Sequence, residues 1–165
     1  EEAPPAIPMP KSGLEEVTTE VGQSEVVGHL MERDREHVDS GHQEAAIAAC
    51  EAAASYDPFV TENYTFMGYL LARAGAHTQA LDTYRKALFI DPFNWVAAIE
   101  SGRLYVDEGD KTRARRVLRQ ALEGVEERRL LPNGLQKMAR AMPGVVTAAG
   151  EAEKLATQWL ERLRG

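Results

Sequence analysis

Between Gly41 and Ala121 the chain repeats itself every 34 residues. Ala46, Ala80 and Ala114 share that spacing, as do Ala53, Ala87 and Ala121, and Gly41, Gly75 and Gly109. Asp57-Pro58-Phe59 returns as Asp91-Pro92-Phe93, and Gly68 returns as Gly102. A period shared by many positions is the mark of a stacked repeat, in which each unit buries its apolar face against the next. The residue types fit a helix–turn–helix unit. Two helices that pack closely need small side chains where their backbones approach, which suits Gly68, Ala80 and Ala87. A sharp turn between helices favours glycine, and Gly75 and Gly109 stand at those breaks. Proline disfavours helix at the preceding residue, so each Asp-Pro closes a helix, and the proline is expected to open the next. Helix pairs are expected over 27–39 with 42–56, 63–74 with 78–90, and 94–108 with 111–125. Thr78 and Thr112 are expected as N-caps of the second helices.

With those residues in place, the central unit resembles a tetratricopeptide repeat, whose signature runs aromatic-x2-Leu-Gly-x2-Tyr, Ala-x3-Phe and Pro. Here it reads Tyr64-x2-Met67-Gly68-x2-Leu71, Ala80-x3-Tyr84 and Pro92. The third unit keeps Gly102-x2-Tyr105 and Ala114-x3-Leu118, with Ser101 for the leucine and no closing proline. The first keeps Ala46-x3-Cys50 and Pro58 but carries Arg33-Asp34 where Leu-Gly belongs. The resemblance covers about residues 27–125 and implies an all-α, helical-hairpin solenoid with three repeats and a C-terminal capping helix. The expected layout is an extension over 1–26, repeats over 27–58, 59–92 and 93–126, and a helical cap over 128–165.

The flanks differ from the repeats. Residues 1–13 hold four prolines in ten positions and read as polyproline II or disorder, the sharper idea being a groove ligand at Pro5-Ala6-Ile7-Pro8-Met9-Pro10. Leu14, Val17 and Val21 sit at helical spacing among glutamates, with Gly22 weakening the pattern. After Glu127 a break at 130–134 precedes a short helix expected over 135–142, closed by Pro143-Gly144. The final segment is the cleanest amphipathic pattern in the chain, with Ala152, Leu155, Ala156, Trp159, Leu160 and Leu163 on one face. A helix with a polar outer face would cover the open end of a repeat stack. Docking on another protein is the alternative use of that face.

Bulk properties exclude several function classes. A net charge of −7 disfavours nucleic acid, whose recognition rests on cations meeting phosphates, and disfavours an anionic membrane surface. One cysteine allows no intrachain disulfide, which fits a reducing compartment. No apolar run reaches the roughly 18 residues of a membrane span. The first residue is Glu, not Met, so a processed upstream segment is expected; the location read is cytoplasmic, with periplasmic or membrane-tethered placements left open. His29, His37, His42 and His77 show no pair at metal-binding helical spacing and read as solvated. Cys50 aligns with Tyr84 and Leu118 and reads as a buried structural thiol. No Gly-rich phosphate loop is present. No catalytic residue, metal site or cofactor is expected.

What remains is surface. In stacked helical pairs the first helices line the concave side. From the resemblance and helical phase, that side should carry Met31 and Arg35 in the first unit, Thr65, Tyr69 and Arg73 in the second, and Val96, Ile99, Arg103 and Val106 in the third. Apolar anchors with arginines suit a peptide or protein client. Half of these positions packing against the terminal segments is the competing expectation. The Lys/Asn carboxylate clamp of some family members is absent, since Met31 and Arg35 occupy its places. In organisation the chain is similar to the three-repeat bacterial type III secretion translocator chaperones. That likeness implies a non-enzymatic, client-holding chaperone or adaptor, with pairing of two copies left open. The alternative is a scaffold subunit of a larger assembly, working through its outer helices or Trp159.

Overall fold

Two helix crossings with no room for a side chain at their centre set the architecture. A Cβ placed on Gly68 would stand 2.6 Å from the Tyr84 ring, and one on Gly102 would stand 2.6 Å from Leu118 Cδ2. Each glycine lets the two helices of a hairpin close on a large side chain from the partner. The computed structural model describes residues 43–164 and contains, among them, helices and no strand. In chain order these are α1 (Gln43–Tyr56), α2 (Thr61–Arg73), α3 (His77–Ile90), α4 (Trp95–Glu108), α5 (Lys111–Glu127), α6 (Asn133–Ala139) and α7 (Ala149–Arg162). Helices α2 and α3 form one hairpin and α4 and α5 the next. Helix α1 packs on α2 and α3 on α4, so the hairpins stack in order. The extension over 1–26, the helix expected over 27–39, the turn at Gly41 and His29, His37 and His42 lie outside the described residues.

The periodic small residues are the buried contact layer. Ala46, Ala80, Ala87, Ala114 and Ala121 are fully covered, and Ala53 nearly so. Cys50, Tyr84 and Leu118 occupy equivalent core positions, as their spacing of 34 requires. Both inter-helix turns pass through left-handed glycines, Gly75 at φ 85° and Gly109 at φ 78°. A β-carbon is disfavoured in that conformation.

Local signals at the helix starts differ from the expectation. Thr78 and Thr112 are not caps: α3 starts at His77 after Ala76 with no side-chain cap, and α5 is capped by Asp110, which accepts from the Arg113 amide. Pro58 and Pro92 do not open helices either; α2 begins at Thr61 and α4 at Trp95. The preceding aspartates explain the gap. Asp57 and Asp91 each accept from the amide two residues on, at 3.1 Å, and so hold a turn between helices. The expected helix over 135–142 is shorter and shifted, running Asn133–Ala139, with Ala141 and Met142 buried in the turn that follows.

Buried polar groups join the hairpins. Asn94 caps α4 by accepting from the Ala97 amide and donates to the Thr61 and Thr65 hydroxyls at 2.9 and 2.8 Å. Asn63 donates to the Cys50 carbonyl at 2.9 Å, linking α2 to α1. Glu100 is a buried acid whose carboxylate meets Arg103 at 3.4 Å. Burial raises its pKa above the ordinary carboxylate value, and Arg103 opposes that rise only in part.

Stability measurements on three variants check this packing. Gly102→Val should lower the free energy of urea unfolding by about 1–3 kcal/mol, because the hairpin must open around the added atoms. Gly150→Ala, where nothing lies within 4 Å of the added carbon, should instead be neutral or stabilise by up to about 1 kcal/mol. Glu100→Gln should be more stable than the parent at neutral pH. A raised folded-state pKa means the protonated form's stability is lost as pH rises through it. The advantage of Gln should therefore shrink on acidification and vanish below about pH 4, the ordinary carboxylate range. An advantage that grows with acid would contradict this.

Candidate peptide-binding groove

The concave side of the stack is formed by α2 and α4, and the chain lays its own C-terminal segment over it. Leaving α5, the backbone is fixed at Arg128, whose carbonyl accepts from Trp95 Nε1 at 2.9 Å and whose guanidinium meets Asp91 at 2.5 Å. The chain then turns back, and α6 packs against α2, with Gly134 lying directly on the Glu62 side chain. Leu131, Leu135, Met138, Ala141 and Met142 are buried along this return path. Helix α7 completes it by packing on α5 and α4. Its C-terminus is held by Arg115, which donates to the Leu163 carbonyl at 2.9 Å.

The residues expected to line the groove fall into three groups. Thr65, Val96 and Ile99 are fully covered, and the Thr65 hydroxyl is taken up by the Thr61 carbonyl and Asn94. Tyr69 and Arg103 touch the covering segment directly. The Tyr69 hydroxyl donates to the Pro143 carbonyl at 3.0 Å and accepts from Arg73 at 3.0 Å. Arg103 lies over the Trp159 ring, 5.4 Å from its centre, a cation–π contact made across α4 and α7. Arg73 is exposed at the margin, stacked 5.6 Å over Tyr69, and Val106 is half-buried at the core edge. Met31 and Arg35 lie outside the described residues.

Sequence reasoning placed a helix near 135–142 without seeing which surface it meets. The signal was present in Leu135, Met138 and Met142, spaced to fall on one face, and in Pro143, which supplies the carbonyl to Tyr69. No described set of three His, Cys, Asp or Glu side chains is placed to hold a metal ion. His77 is exposed and Cys50 is buried in the core. What this face shows is a phenol bound to a main-chain carbonyl, apolar side chains already covered, and Arg73 exposed at the edge. No described helix is long and apolar enough to cross a membrane.

A tetratricopeptide repeat family model matches residues 35–94. The type III secretion translocator chaperone SycD of Yersinia enterocolitica superposes with a TM-score of 0.66 at 16% identity, covering 86% of this chain and 85% of that one. SycD in complex with a peptide of the translocator YopD superposes at 0.58 and 14% identity, covering 79% and 92%. In sequence, the probable biofilm formation methyltransferase WspC of Pseudomonas aeruginosa is 31% identical over 132 residues, which is 75% of this chain. The chain spans only 29% of that relative's length. Hairpins that cross at Gly68 and Gly102, turns at Gly75 and Gly109 and the family match agree: residues 35–94 carry tetratricopeptide repeat sequence, and the chain has a tetratricopeptide-like fold similar in layout to the three-repeat translocator chaperones.

Proposed function

We propose that the chain is a non-catalytic protein-interaction module whose concave face, formed by α2 and α4, recognises a polypeptide segment. One observation carries this reading. That face already holds a polypeptide, residues 131–146 of the chain itself, by burying Leu135, Met138 and Met142 and by donating from Tyr69 to a main-chain carbonyl. A surface that satisfies apolar anchors and a backbone carbonyl in cis has the chemistry to do so for a client. The SycD–YopD complex supports the same use of the fold. The client would enter beside the exposed Arg73 and compete with the covering segment.

Two cellular settings fit such a module, both read as cytoplasmic. The layout favours a client-holding secretion chaperone. The sequence favours an adaptor that serves a methyltransferase, since identity to WspC is 31% against 16% to SycD. We adopt the adaptor setting, and the chain itself is assigned binding, not methyl transfer.

The test places a photo-reactive side chain at Arg73 and, as a control, at Glu51 on the exposed face of α1. Cross-linking in the native cell should yield a discrete polypeptide from position 73 and none from 51. For the segment so identified, Tyr69→Ala should weaken binding by about 1–2 kcal/mol. Unaltered affinity, or equal cross-linking from both positions, would remove the concave face as the site. A secretion translocator recovered in place of a methyltransferase-associated protein would select the chaperone setting.

A further inference from the structure

The outer side of the stack carries a feature that the concave-face reading does not use. Helix α5 opens with five cations in nine positions, Lys111 to Arg119, in a chain whose net charge is −7. Its outward face meets the turn before α4 in an open pocket of about 520 Å³, in which Phe93, Arg116, Arg119 and Glu123 take part. A second pocket of about 270 Å³ lies between α3 and α5, and Arg116 lines it too, opposite Arg85 and Phe89. The two form one trough along the outside of the last hairpin. Its charge is one-sided, because Glu123 is the only carboxylate lining it.

The trough is built. Gln120 donates to the Pro92 carbonyl at 3.1 Å, and Gly124 lets the Phe93 carbonyl lie where a Cβ would stand 2.8 Å away. Arg128 stacks 5.7 Å over the Phe93 ring and pairs with Asp91. These contacts hold Phe93 at one end of the trough. Phe89, at the other, is 84% exposed. Arg85 and Arg113 are paired with Asp82 and Asp110, whereas Arg116 and Arg119 make no ion pair among the described residues. Apolar ends and unpaired guanidinium groups ask for a ligand with both carboxylates and apolar side chains.

We infer that this trough is a second docking surface and that its occupant is an acidic polypeptide segment, helical when bound, seating apolar side chains on Phe89 and Phe93 and carboxylates on Arg116 and Arg119. Charge complementarity selects the sign of the partner. The span along α5 from Thr112 to Glu123 is about 16 Å, three turns of a bound helix. The aromatic ends and the short basic stretch favour a peptide over a nucleic acid strand, which needs a longer cationic track.

The probe is a fluorescently labelled peptide of about eleven residues, three helical turns, with glutamates on one face and leucine and phenylalanine at i, i+3 and i+4 spacing on the other. Anisotropy titration of the full chain should give saturable binding that weakens as salt rises. Arg116→Glu with Arg119→Glu, both exposed and free of structural bonds, should weaken it by roughly tenfold or more, and Phe89→Ser should weaken it without changing the salt dependence. Tyr69→Ala should leave it unchanged, so failure here is separable from failure at the concave face. Equal affinity for the charge-reversed variant, equal affinity for a lysine-substituted peptide, or tighter binding of oligothymidine would each overturn the proposal. So would a gain in affinity on deleting residues 1–26, because the occupant would then be the chain's own acidic extension.

Discussion

Everything in this molecule depends on how closely paired helices approach. At Gly68 and Gly102 a hydrogen replaces a side chain, and Tyr84 and Leu118 fill the space from the facing helix. The alanines that recur every 34 residues extend the same contact, and each of them is buried. Close approach fixes the tilt of α2 against α3 and of α4 against α5. Once the tilt repeats, stacking hairpins turns α2 and α4 toward a common side. The concave face is therefore a consequence of small residues that lie on its far side.

Apolar packing alone would permit neighbouring hairpins to slide. Asn94 removes that freedom, because its one side chain caps α4 and binds two threonines of α2. Asn63 links α2 to α1 in a similar way. Buried amides of this kind stabilise modestly when paired and cost about 1–3 kcal/mol when left unpaired. Their contribution is one register for the stack. Glu100 has the opposite character, a carboxyl held where water is scarce and only one arginine answers it.

The repeat was legible because its cause is periodic: a close crossing needs a small residue at every unit, so Gly68 and Gly102 announce themselves. Turn glycines were legible for a local reason, the left-handed backbone at Gly75 and Gly109. Cap residues were not. Thr78 and Thr112 fit a cap by type, but α5 is capped by Asp110, two residues before Thr112, and α3 starts after Ala76 with no side-chain cap. The fate of the groove was also hidden. Helical phase placed Tyr69 and Arg103 on the concave side, but phase describes one helix and cannot say that Pro143 and Trp159 will come to rest on them. That contact joins segments far apart in sequence and has no period. Gly124 was unreadable for the same reason, since its partner is a carbonyl at Phe93 in another repeat boundary.

The folded-back segment links the architecture to its use. Val96 and Ile99 on α4 are fully covered in the folded chain, and α6 rests on the neighbouring α2. The most direct measurement of that arrangement is amide hydrogen exchange in the segment. The Gln136, Ala141 and Met142 amides donate to the Pro132, Met138 and Ala139 carbonyls. If residues 131–146 rest on α2, these amides exchange slowly in the free protein and lose protection when a concave-face client is added. Exchange at the rate of an unstructured chain, with α2 to α5 still protected, would mean the segment does not occupy the face, and the account would fail.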